Sequence, residues 1–173
     1  MSWRRRVLAV VLLAPVIHVA AIWALPRAIV TAVVIGVSRR VGLNTPLRAP
    51  RATSAARTIV MPSPDLLYVI CAYDVGDHAV RFSVTPPASY WSLSFFADDT
   101  DNYYVVNDRQ VAGKSFSLVL LDESGSPPAA AVGVPVVRSP SRKGIALFRM
   151  LITSEADLPA IKAAQETASC GVI

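Results

Sequence analysis

The densest set of side chains that could do chemistry is Asp98-Asp99-Thr100-Asp101-Asn102, with Asn107-Asp108-Arg109 just beyond the next short apolar run. Carboxylates one and three positions apart offer the hard oxygen ligands that calcium takes. EF-hand spacing, a glycine at the turn position and a distal bidentate Glu are all missing. No metal is therefore expected, and a strand-connecting turn is the simpler reading. Paired carboxylates also serve glycoside hydrolysis, but only across a cleft, which neighbours on one turn do not provide. Asp65, Asp74 and Asp77 carry no stronger claim. His78 is the one histidine outside the N-terminal apolar run. A Ser-His-Asp relay would have to use it, yet no Gly-x-Ser-x-Gly elbow accompanies it, and it reads as a solvated turn residue. The run Ser139-Pro140-Ser141-Arg142-Lys143-Gly144 lacks the glycine spacing of a phosphate-binding loop and reads as a basic hairpin connection. No catalytic set and no cofactor site emerge, so the balance favours a non-enzymatic protein.

Two cysteines remain, Cys71 and Cys170. In an oxidising compartment they could close a loop of about a hundred residues, adding around 4 kcal/mol. Whether their Cα atoms come within bridging distance is not fixed by spacing, so bridge and separate thiols both stand.

These residues must be positioned by elements whose charge is unevenly divided. Of 173 residues, the first fifty hold seven Arg and no acid, while the rest hold ten Lys and Arg against twelve Asp and Glu. The net charge of +5 thus belongs to the N-terminal segment. A nucleic-acid-binding domain would carry its positive charge on the folded face, so that class is excluded. Two Cys and two His argue against a zinc site or a disulfide-dense fold, and the Val, Leu, Ile, Phe and Tyr content argues against disorder.

After a basic start at residues 1–6, residues 7–25 carry no formal charge. At about 1.5 Å per residue this run nearly matches a bilayer core of about 30 Å. Pro15 and His18 interrupt it, and Trp23 lies near its far end, where an indole prefers the headgroup region. A cleaved signal peptide is the rival, since Val19-Ala20-Ala21 would serve as a cleavage site. The apolar character continues past that point, which favours an uncleaved signal anchor. Arg4, Arg5 and Arg6 against Arg27, Arg39 and Arg40 give a nearly balanced positive-inside count. The cluster directly against the helix favours a cytoplasmic start and an ectodomain outside, in the periplasm of a bacterial inner-membrane protein. Residues 26–43 read as a helical continuation or an interfacial segment, and residues 44–63, with three prolines, as a linker.

Residues 64–173 form the expected β-rich ectodomain. Strands are predicted at 66–73, 79–84, 90–97, 103–106, 115–121, 132–137 and 145–152, separated by Gly, Pro or Asp turns. Such spacing points to a mainly β fold, an antiparallel sandwich or jelly roll. In Tyr90-Trp91-Ser92-Leu93-Ser94-Phe95 the apolar residues alternate onto one face, leaving Tyr90, Ser92 and Ser94 on a face that is solvated or meets a partner. Residues 154–168 have helical composition. Ser154 and Asp157 stand at capping-box spacing, and Pro159 is best tolerated in a first turn, so the helix can begin near Asp157.

The stretch Met61-Pro62-Ser63-Pro64-Asp65-Leu66-Leu67-Tyr68 resembles the bacterial family known as domain of unknown function 1254. Pro62, Asp65, Leu67 and Tyr68 match its Pro-Asn-x-Asp-Thr-Leu-Tyr segment. Asp74 matches its strand-ending acid and Tyr90-Trp91-Ser92 its aromatic strand, with Asp101 and Asn102 beyond. Ser63 and Leu66 depart from the family's Asn and Thr. The resemblance spans roughly residues 45–170 and implies no established activity. It does imply a partner, because longer members carry a companion β-rich domain (domain of unknown function 1214) that here would be a separate polypeptide. The leading expectation is a membrane-anchored envelope protein that binds that partner. The alternative is a glycan- or lipid-binding or -processing envelope subunit, with Asp65, Tyr68, Tyr90, Asp101 and Asn102 lining its site.

Overall fold

The computed structural model describes residues 2–53, 55–56, 62–111 and 113–173. The Met61 end of the family-like segment and the middle of the 44–63 segment lie outside the described residues.

Helix α1 runs unbroken from Trp3 to Val41, 39 residues with Pro15 and Pro26 inside it. Its length is about 58 Å at 1.5 Å per residue, and it is long and apolar enough to cross a membrane, with its most apolar stretch unburied. The helical continuation expected after residue 25 is therefore part of one helix. Gly42 ends it at φ +92°, a left-handed value natural to glycine, and donates its N–H to Ser38 O at 2.9 Å. In this last third, Val30, Val34 and Val37 share a face and are buried against Leu47, Ile70, Ala72 and Ile145.

Among the described residues, nine strands make two sheets. The first has the order β1 (Pro46–Arg48), β2 (Leu66–Asp74), β8 (Lys143–Leu151), β4 (Trp91–Phe96), β5 (Asn102–Asn107) and is antiparallel throughout. The second has the order β7 (Val136–Ser139), β6 (Phe116–Asp122), β3 (Val80–Val84), β9 (Ser169–Val172). Only β6 and β7 run parallel there. The sandwich is thus the expected mainly β fold, with two strands more than predicted. β1 falls inside the segment read as a linker, and β9 follows the C-terminal helix to pair with β3.

Period-two patterning builds the core between the sheets. β2 turns Leu67, Val69, Cys71 and Tyr73 inward, β4 turns Trp91, Leu93 and Phe95, and β8 turns Ala146, Phe148 and Met150. β3 and β6 answer with Val80, Phe82, Val84, Leu118 and Leu120. A register shift between Phe95 and Phe96 lets both Tyr103 and Tyr104 lie against Phe95, at 6.2 and 5.9 Å between ring centroids. Cys71 of one sheet and Cys170 of the other are joined in a disulfide, with Cα atoms 6.7 Å apart.

Helix α2 (Leu158–Thr167) begins at Asp157, with Pro159 in its first turn. The hydroxyls of Thr153 and Ser154 donate to the Asp157 carboxylate. Ile161 and Ala164 enter the core, and Gln165 donates to Ala49 O and Tyr68 O, both at 2.9 Å. Arg48 of β1 caps the other end, its guanidinium donating to the carbonyls of Gln165, Glu166 and Ala168. The helix closes the flank of the sandwich beside β1 and β9.

One glycine is required by a close approach. A Cβ on Gly144 would lie 2.2 Å from both Phe96 O and the Tyr73 hydroxyl. That hydroxyl donates to Phe96 O at 3.0 Å and shares bonds with Tyr103 and Ser139, so it is a fully partnered buried phenol. Burial raises its pKa, against the lowering effect of the Ser139 and Tyr103 bonds. Gly144→Ala is expected to destabilise the domain by about 2 kcal/mol through overpacking, read as a lowered urea midpoint.

Candidate functional site

The five polar residues expected to line a site fall at two opposite ends of the first sheet. Asp65 and Tyr90 flank the C-terminal end of β8, accepting backbone N–H bonds from Ile152 and Leu151 at 2.8 and 2.9 Å. Asp101 and Asn102 sit at the other end of β4, which separates the groups by about 20 Å at ~3.3 Å per residue. No small ligand touches both.

The acidic cluster is the β4–β5 turn. Ala97 donates to Asp101 O, Asp101 donates to the Asp99 carboxylate, and Thr100 takes a left-handed φ of +76°. Asn102 supports the bulge, its side-chain nitrogen turned to reach Phe95 O and Tyr104 O at 3.1 Å. Asp99 also approaches Arg27 of α1 at 3.6 Å, and that guanidinium lies 4.7 Å from the centroid of the Trp23 ring. Among the described residues, no group of three His, Cys, Asp or Glu is placed to hold a metal ion. His78 is exposed on the turn after β2.

The junction of the end of β2 and the start of β8 holds a charge cluster. The Asp74 carboxylate accepts from Gly76 N–H and Arg142, both at 3.0 Å, with Lys143 at 3.5 Å. Burial alone would push its pKa up, but the Gly76 and Arg142 bonds hold it below the usual carboxylate value. A depressed folded pKa means that its contribution is present above the unfolded value and is lost as pH falls through the folded one. Asp74→Asn is expected to flatten the acid limb of the stability curve below about pH 4, measured by thermal melts across pH. Asn44 braces the same corner, exchanging two side-chain bonds with the Asp74 backbone at 2.9 and 3.0 Å.

Tyr68 alone among the five lies in a polar row across the sheet, and its companions there are not among the residues that the sequence singles out as a site. It points to the outer face of the first sheet, where strand register lines up Tyr68, Arg149, Ser92 and Asn107. The Tyr68 hydroxyl accepts Ser63 N–H at 3.0 Å. Arg149 donates from Nη2 to Ser94 Oγ at 3.1 Å. Ser92 and Ser94, expected on a solvated or partner-facing side, are 1% and 0% exposed. Only the register of β2, β8, β4 and β5 brings the row together, so sequence carries no signal for Arg149 beyond its place in a predicted strand.

A family model described as "Protein of unknown function (DUF1254)" matches residues 43–171. No curated protein matches the chain. Among solved structures, the VPA0106 protein from Vibrio parahaemolyticus aligns with a TM-score of 0.68 at 16% identity, covering 89% of this chain and 37% of that one. An uncharacterized protein from Burkholderia cenocepacia aligns with a TM-score of 0.50 at 12% identity, covering 76% of this chain and 34% of that one. At such identities the likeness is one of fold. This chain spans little more than a third of either structure.

Proposed function

The chain belongs to the DUF1254 family of proteins of unknown function, and within it we propose a membrane-anchored envelope protein whose β-domain binds a partner protein. The anchor is the apolar part of α1, crossing the inner membrane once with Arg4, Arg5 and Arg6 on the cytoplasmic side. The Cys71–Cys170 disulfide supports a periplasmic domain, since such bonds persist in oxidising compartments.

The observation that carries the partner reading is the first sheet's outer face, which stays open toward its β5 edge. α1 seats on Leu47, Ile70, Ala72 and Ile145. Beyond them the face continues through the half-buried Tyr68 and Arg149, over the buried Ser92, to edge strand β5, where Val105 is exposed. An arginine and a tyrosine beside an apolar seat are residue types enriched where proteins meet. The partner is expected to be a polypeptide carrying the family's companion β-rich domain.

The test is extraction of the tagged full-length protein from native membranes in mild detergent, with mass spectrometry of what co-purifies. A stoichiometric protein bearing the companion domain is the expected result. A monomeric preparation that also ignores that companion in a titration would sink the reading. Bound lipid or glycan without a protein would favour the alternative, a glycan- or lipid-binding or -processing subunit.

A further inference from the structure

We infer that Arg149 and Ser92 form an oxyanion-binding site on the outer face of the first sheet, for a carboxylate or a phosphate group. The case rests on a surplus of donors. Arg149 Nε and Ser92 Oγ are both buried and have no hydrogen-bond partner among the described residues. A guanidinium is charged at any ordinary pH, and burying part of it is costly unless something pairs with it. Arg48, Arg51 and Arg142 each have a carboxylate partner, and Arg81 and Arg138 donate to backbone carbonyls, whereas Arg149 has neither among the described residues. Its one side-chain bond goes to the neutral Ser94 hydroxyl.

The residues beside it add donors rather than acceptors. Tyr68 already accepts Ser63 N–H, which leaves its own proton to give. Asn107 accepts Arg109 N–H through Oδ1, which leaves its amide protons to give. Ser92 stands directly opposite Arg149 in the β4–β8 register, one strand spacing of about 4.8 Å away. A guanidinium fork and a hydroxyl carried by neighbouring strands on one face suit an oxygen acceptor with two or more lone-pair sites, which a carboxylate or phosphate supplies. A neutral ligand would leave the charge uncompensated. The site lies on the face that the partner reading uses but does not require that reading: a free phosphate, a phosphate ester or a side-chain carboxylate on a docked protein would use the same donors.

The test uses the full-length protein labelled with ¹⁵N-arginine in a maltoside detergent, which carries no anion of its own. The Arg149 Nε–H resonance, assigned by its loss in Arg149→Lys, is followed during titration with phosphate and, separately, acetate, with chloride holding ionic strength constant. The expected result is a saturable shift confined to that resonance. Ser92→Ala, a mild change, is expected to weaken the apparent affinity about fivefold, as for one lost hydrogen bond. Saturation at lower phosphate than acetate assigns the site to phosphate groups, and the reverse order assigns it to carboxylates. No saturable shift, or an equal drift of all exposed arginines, would overturn the inference. So would an unchanged affinity in Ser92→Ala.

Discussion

Replacing Cys71 and Cys170 together by alanine is expected to cost the domain about 4 kcal/mol. The bridge spans a sequence separation of 99 residues and so restricts nearly the whole unfolded β-domain. In the chain-entropy account, that restriction is what stabilises the native state. A domain typically has only about 5–15 kcal/mol of stability in total. The double variant should therefore melt on the order of 15 °C lower. Thermal circular dichroism of the full chain, with and without reductant, checks this. Reductant should lower the wild-type midpoint to that of the variant and leave the variant unmoved. An unchanged wild-type midpoint under full reduction, verified by thiol titration, would mean that the two sheets hold without the bridge.

Phe95→Ala is expected to cost about 4 kcal/mol. The ring is fully buried at the centre of the aromatic cluster. It meets Phe82 edge-on at 4.9 Å and 88°, with Tyr103, Tyr104 and Tyr73 between 5.9 and 6.3 Å. Those neighbours come from β2, β3 and β5, strands of both sheets, so no single shift can fill the void. Residual cavity volume, added to lost transfer energy, sets such values. Phe95→Leu retains most of the volume and should lose less than half as much. Urea denaturation followed by near-ultraviolet circular dichroism reports both variants. Equal losses would show that ring geometry, rather than volume, is what the cluster needs.

What could be read in advance was local. Alternation placed Trp91, Leu93 and Phe95 on the core face of β4, and Pro159 placed the start of α2 near Asp157. β1 escaped because three residues, Pro46–Arg48, carry too little pattern to stand out from a proline-rich stretch. They become a strand by pairing with Val69, Ile70 and Cys71. β9 escaped because Ser169–Val172 is short, contains Gly171 and begins one residue after a helix. The spatial grouping of the candidate site residues was illegible for a different reason. Asp65 and Asp101 were grouped by their nearness to family-like segments, but strand direction sends them to opposite ends of the sheet. Tyr68 and Arg149 are eighty-one positions apart and become neighbours only through the β2–β8 register. Periodicity tells which face a residue takes, whereas cross-strand company depends on non-local pairing.

On the anchored reading, the unbroken α1 decides how far the domain can roam. The seat of the first sheet starts at Val30, five residues or about 7.5 Å of helix past the end of the 7–25 apolar run. A flexible tether of twenty residues would let a domain wander by about 25 Å. Here Arg27, stacked on Trp23 and paired with Asp99, adds a second strut at the same height. Height and heading are then set by the tilt of a single rod. Encounter with another envelope protein becomes a search in the plane of the bilayer, with the outer face of the sheet always presented at one elevation.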